Sequence, residues 1–183
     1  MDTIRVMQTD SPDPIGDPAG YQRHLLGLLG DDDPATVRSA TAASVRALLR
    51  SAGTDAGVPP EPTGWSVVQC LAHMTDAEIV VSGRYRWILA HVRPPLMGYD
   101  QDRWVDELHR PPEPAEELLA VFEPLRAANI ALWYRTPRER RDRLGIHAER
   151  GPESYELTFR LIAGHDRFHL AQAERALDAV RAP

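Results

Sequence analysis

Two histidines four residues apart, His165 and His169, stand in the run Gly164-His165-Asp166-Arg167-Phe168-His169-Leu170-Ala171-Gln172. On a helix, positions i and i+4 lie one above the other with Cβ atoms roughly 5–6 Å apart, so both imidazoles can converge on one ion. The same face continues backwards through Leu161 and Leu157 and through Ile162 and Thr158, so the pair occupies positions that the pattern otherwise gives to core. Burying an imidazole without a partner costs about 1–3 kcal/mol per unsatisfied group, and a shared cation removes much of that cost. In a chain with seven histidines the spacing alone is a weak signal. Zinc and similar ions at reactive sites take three protein ligands and keep a position open, so a third ligand must come from another helix of the same core.

The elements that must position these groups can be read from caps and breakers. Pro12, Pro14 and Pro18 with several Asp and no apolar period mark residues 1–18 as a flexible arm, leaving 19–183 as one domain. Tyr21 to Leu29 suggests a short helix ending at Gly30. Asp33 as N-cap with Pro34 at the first helical position opens a helix through Val37, Thr41, Val45 and Leu48 that stops near Gly53. The segment 57–64, with Pro59, Pro60 and Pro62, cannot be helical. Ser66 and Gln69 form a capping box that starts a second long helix, whose stripe Val67, Leu71, Met74, Val81, Ile88 and Val92 ends at Pro94-Pro95. His73 lies beside that stripe and is the candidate third ligand.

A long loop, 94–112, follows, with Tyr99, Asp100, Asp102 and Trp104 concentrated in it; aromatic-rich loops of this length often pack over a site. A third long helix runs from about Pro114 to Tyr134 with Pro124 as a kink. Thr136-Pro137-Arg138-Glu139 reads as a capping box for a short helical turn, and Ser154 caps a final helix to about Val180. No strand pattern exceeds a few residues. The expected fold is all-α, a four-helix bundle with a long loop between its second and third helices.

The 183 residues are 43% hydrophobic and 26% charged, enough for one core and short for two. A formal net charge of -6 gives no general attraction to polyanions, so a nucleic-acid partner is not expected and the basic run Arg138 to Arg143 reads as a solvated face. No apolar segment approaches the roughly 20 residues of a membrane span, and the start lacks a signal-peptide core, so a cytoplasmic protein is expected. A lone Cys70 excludes an internal disulfide framework. It stands three residues before His73, as a fourth soft ligand or, on the simpler reading, a small buried thiol.

Taken together, Trp65, His73 in Leu71-Ala72-His73-Met74-Thr75-Asp76-Ala77-Glu78, the Pro95…Tyr99-Asp100…Trp104 loop, Gly145-x-His147…Gly151 and the closing His165-Asp166-x-x-His169-Leu170-x-Gln172 resemble the DinB/YfiT-like superfamily from about Trp65 to Leu177. The resemblance implies a four-helix bundle in which His73, His165 and His169 hold a divalent metal, zinc or nickel, and a chain that often forms a homodimer. It also implies a metal-dependent hydrolase, or a transferase or isomerase using a low-molecular-weight thiol such as bacillithiol or mycothiol, on a small electrophile. The alternative is a metal- or ligand-binding bundle without turnover, in stress response. A metal ion can lower the pKa of bound water towards about 7 or hold a thiol as thiolate, and the sequence does not choose between them.

Around this core, Asp76 and Asp166 read equally as carboxylates orienting the ligand histidines or as surface groups. Gln172, three residues past His169, can line the pocket or, on the simpler reading, serve helix packing. Tyr99 and Arg84 are the candidate contacts to a bound cofactor: Tyr99 can wall the pocket with Trp104 and donate to an anion, or equally the two rings anchor the loop to the bundle, and Arg84 or Arg86 can meet a carboxylate, with exposed salt bridging as the plainer role for the arginines. His147 matches a family position near the mouth of the site, although a loop histidine is by default a surface group. His24, His91 and His109 carry no supporting pattern.

Overall fold

A computed structural model describes residues 12–14 and 16–182. The arm expected over 1–18 therefore falls mostly outside the described residues. The helices are α1 (Pro18–Leu29), α2 (Pro34–Ala52), α3 (Val67–Ala90), α4 (Gln101–Leu108), α5 (Ala115–Arg135) and α6 (Tyr155–Arg181). Three short strands, β1 (Pro95–Leu96), β2 (Leu144–His147) and β3 (Gly151–Ser154), form one small sheet.

The long helices start where their side chains can take up free backbone N–H groups. Asp33 accepts from Thr36 N at 2.7 Å, Ser66 and Gln69 close both halves of the capping box, and Ser154 accepts from Leu157 N at 3.0 Å. In the bundle α3 packs on α5 and α6, and α2 packs on the same two. The cyclic order is thus α2, α5, α3, α6, which makes α3 and α6 neighbours along much of their length. α1 lies across α6.

The centre of the bundle is ionic as well as apolar. Arg38 of α2 donates to both oxygens of Glu78 on α3 at 2.8 and 2.9 Å, and Arg126 of α5 donates to Glu78 at 2.9 Å and to Asp166 of α6 at 2.5 and 3.0 Å. Asn129 and Thr41 complete the set through Glu78 and Asp166. Burial alone would raise the Glu78 carboxyl, but Arg38 and Arg126 outweigh it and hold it below the usual range. Two cations and two anions balance, and removing any one would leave a buried charge uncompensated. All four long helices are tied at this level. Below it, Trp133 stacks on Phe159 with centroids 4.1 Å apart, beside Tyr85 and Tyr155.

Four local expectations are corrected. The 94–112 segment is not all loop: Asp100 accepts from Arg103 N at 3.0 Å and opens α4, whose Val105 is buried. Thr136 does not cap the following turn; its hydroxyl donates back to Leu132 O at 2.7 Å and Pro137 precedes the 3-10 turn Arg138–Arg140 without a side-chain cap. Val92 lies beyond the end of α3 and is 89% exposed. The basic run is not merely solvated. Arg140 and Arg143 donate to the carbonyls of Leu89 and Ile88 at the end of α3, and Arg141 to that of Trp133 at the end of α5. Cations there satisfy free carbonyls and oppose the negative end of the helix dipole.

The sheet was not visible as a pattern. β1 pairs parallel with β2, Pro95 opposite Ile146, and β2 pairs antiparallel with β3, Leu144 opposite Ser154. A Cβ on Gly145 would lie 2.7 Å from Leu96 Cδ1, so the bare backbone there lets β2 sit under the Leu96 side chain. The sheet carries His147 at its end. Among the described residues, no helix is long and apolar enough to cross a membrane.

Candidate metal centre

His73, two turns into α3, meets His165 and His169 of α6 where the two helices face each other. One ligand atom from each of the three lies within 4.8 Å of the others. His73 Nε2 and His165 Nε2 are 2.9 Å apart, and the ring centroids are separated by 4.3 to 4.9 Å. All three side chains are buried. Trp65, just before the Ser66 cap, lies against His73 and stacks on His169 with centroids 5.1 and 6.0 Å away.

Protonation state follows from burial. Desolvation, then the neighbouring His169 and His109, pushes His73 well below its ordinary value; His165 moves the same way through burial, His169 and His73. His169 falls to about 4, burial outweighing its bond to Gln172. Three neutral imidazoles at neutral pH each present one lone pair, the form that ligates a metal.

The hydrogen bonds test whether a cation fits. His169 Nδ1 lies 2.8 Å from Gln172 Oε1, an oxygen that can only accept, so Nδ1 carries the proton and Nε2 the lone pair. His169 Nε2 is buried without a partner, as is Nδ1 of His165. Orphaned nitrogen atoms in a dry cluster of three imidazoles are what a shared divalent ion would satisfy. Gln172 is thus more than packing: it fixes the tautomer of His169, the task expected of Asp76 or Asp166.

Those two carboxylates act elsewhere. Asp166 is bound by Arg126 and Thr41 in the bundle centre. Asp76 lies 2.9 Å from His109 Nε2, and His109 Nδ1 lies 2.7 Å from Glu113 Oε1. Both are buried, so neither is a surface group. Burial raises the Asp76 carboxyl although His109 opposes the shift. Cys70 is a buried thiol outside the histidine cluster, pushed up to about 12 by desolvation. The soft fourth ligand is not formed.

A cavity of about 450 Å³ opens beside the cluster and reaches His165. Tyr99, Arg84 and His147 line it, together with Tyr21 and Gln22 from α1. Tyr99 has its ring 6.4 Å from His73 and is backed by Trp104 at 4.6 Å. Arg84 is buried, donates through Nη2 to Met97 O, and has no salt bridge among the described residues, so exposed ion pairing is not its role. Arg86 turns the other way, to Ser82 O and Asn129. His147 is not the surface group that its loop position suggested: it is 1% exposed.

Sequence reasoning missed His109 and the α1 side of the cavity. Glu113 at i+4 from His109 was the one local clue; the Asp76 partner, 33 positions away, left none. Tyr21 and Gln22 joined the site only through the packing of α1 on α6.

A family model for the DinB superfamily matches residues 32–173. Over 108 residues, 59% of this chain, the sequence is 27% identical to a Bacillus cereus (strain ATCC 10987) protein named "Putative metal-dependent hydrolase" and to a protein of the same kind from Bacillus thuringiensis subsp. konkukian. The matched region spans 62% of the length of each relative. Among solved structures, YfiT from Bacillus subtilis, described as a probable metal-dependent hydrolase with an unusual four-helix bundle topology, superposes with a TM-score of 0.71 at 17% identity, covering 85% of each chain. That likeness is one of fold.

Proposed function

Because the chain belongs to the DinB superfamily, we propose that it is a metal-dependent hydrolase of a small molecule, with His73, His165 and His169 holding the ion and the adjoining cavity holding the substrate. The observation that carries this reading is the buried cluster of three neutral imidazoles with an orphaned Nε2 on His169. The names of the Bacillus relatives support it.

A divalent ion, zinc or nickel, would supply Lewis-acid chemistry there, activating water or a thiol at neutral pH. The chain's own residues do the rest. Gln172 holds the proton of His169 on Nδ1, Trp65 covers the rings, and the cluster's burial keeps all three imidazoles unprotonated. Tyr99 and Arg84, at the wall of the cavity, are the contacts to the bound molecule. S-transfer with bacillithiol or mycothiol is the narrower form of the same chemistry. We read the protein as cytoplasmic and as a homodimer, with Ile79 and Trp87, half-exposed two turns apart on α3, at the pairing face.

Elemental analysis of untagged protein is expected to give about one divalent ion per chain, and the loaded protein is expected to hydrolyse members of an ester and amide panel. His169→Ala should abolish both. Turnover that requires an added thiol would assign the transferase form. Stoichiometric metal with no turnover of any substrate, with or without thiols, would favour a binding bundle, and no metal would overturn the reading.

A further inference from the structure

The cavity wall holds two hydrogen-bond donors that the protein leaves unused. Arg84 is 6% exposed; its Nη2 is committed to Met97 O, but its Nε–H has no acceptor. His147 is 1% exposed, and its Nδ1 accepts from the Glu149 amide at 3.2 Å. Its ring proton therefore sits on Nε2, which is also buried and unpartnered. Burial, with Arg150 and Arg84 nearby, lowers His147 to about 4, so the ring is neutral with that one proton.

Buried charge without a counter-ion is costly, and a native fold seldom keeps it without use. Arg84 is such a charge: among the described residues no carboxylate lies within salt-bridge distance. The acids around it are committed. Glu153 is paired with Arg150 and Gln22, Asp100 caps α4, and Asp13 and Asp102 have contacts of their own. Glu149 is exposed at the rim, against Gly98. The remaining lining near His165 includes Val80, Val81, Leu161 and Ile162, which suit an apolar body.

We propose that Arg84 and His147 form a carboxylate-recognition site, so that the small molecule taken by this cavity is an organic carboxylate with an apolar body directed at the three histidines. One cationic N–H and one neutral N–H match the two oxygens of a carboxylate, and the ligand supplies the counter-charge that the described residues lack. This rests on the cavity being the substrate site of the histidine cluster.

Calorimetric titration of the full-length protein with benzoate, benzamide and phenyl phosphate, before and after removal of metal by chelation, tests it. Benzoate should bind at least about tenfold more tightly than its neutral isostere benzamide in both states, since a charge-assisted pair is lost in the amide. Arg84→Gln should erase the preference. His147→Phe should weaken benzoate about tenfold, and His147→Gln, which keeps an N–H, should restore most of it. Should Arg84→Gln fail to fold, the wild-type contrast and the two His147 variants still decide. Equal binding of benzoate and benzamide, binding of neither, or tighter binding of phenyl phosphate would overturn the proposal. Loss of the preference on chelation would also overturn it, placing the carboxylate on the metal. Protein that carries no metal as purified, yet prefers benzoate, would sink the hydrolase reading and leave this site standing.

Discussion

Gln172 is the residue through which the cluster is tuned, because its Oε1 fixes which nitrogen of His169 carries the proton. Partners of this kind typically change metal affinity by about 10–100-fold when removed. Gln172→Ala should therefore lose metal to a competing chelator about that much more readily than wild type, with an unchanged circular dichroism spectrum, while Gln172→Glu, which keeps an acceptor, should stay close to wild type. A pure packing role would leave the chelator competition unmoved in both. The same burial makes the metal-free protein sensitive to acid. His169 titrates at about 4 when folded against 6.5 as the ordinary value, so between those pH values the unfolded chain binds a proton that the folded chain refuses. Stability from this residue is fully present above about pH 6.5 and is lost as pH falls through about 4, a difference on the order of 3 kcal/mol. His73 and His165 shift in the same direction. Urea midpoints of chelated protein at pH 7 and 4.5 should fall more steeply for wild type than for His169→Gln; equal slopes would contradict the assignment.

At the level of elements, α1 is held on α6 by a close approach at Gly164. A Cβ there would lie 2.0 Å from the Leu25 carbonyl oxygen, a backbone atom that cannot step aside. Gly164→Ala should displace α1, costing about 1–3 kcal/mol as overpacking does, and should speed amide exchange across residues 18–29. Because Tyr21, Gln22 and Leu25 of α1 line the cavity, substrate affinity should drop with it. Gly27→Ala, whose Cβ meets nothing within 4 Å, is the control and should stabilise by up to about 1 kcal/mol. The helices themselves were legible because Asp33, Ser66 and Ser154 announce their own starts by local chemistry. α4 was not, since two turns with one buried residue, Val105, give no period to read. The sheet escaped for a related reason: strands of two and four residues are specified by a pairing about fifty positions away, Pro95 with Ile146, and by the bare backbone at Gly145. His165 and His169 could be paired because they lie at a helical spacing on a face already read as core, whereas His73, beside the stripe of α3, joined them through the family resemblance. Asp166 and Asp76 could not, because their partners Arg126 and His109 come from other elements.

For the molecule as a whole, an ion held by the proposed centre would be linked to the fold. The three imidazoles come from α3 and α6, adjacent helices that the unfolded chain does not hold together, so a metal held by all three would bind the folded state almost alone. Mass action then adds RT ln(1 + [M]/Kd) to stability, about 4 kcal/mol when free metal exceeds Kd a thousandfold. The ionic network of Arg38, Glu78, Arg126 and Asp166 already fastens all four long helices without the ion, so removing metal should lower Tm but leave a cooperative transition. Differential scanning calorimetry of wild type with and without chelator is expected to show that drop, with two-state behaviour on both sides. His73→Ala should be insensitive to chelator, and its transition should resemble that of the chelated wild type apart from the cavity left by the ring. A melting point indifferent to chelation in wild type would separate the cluster from metal altogether, since no ion shared between two helices of one cooperative core can bind without stabilising it.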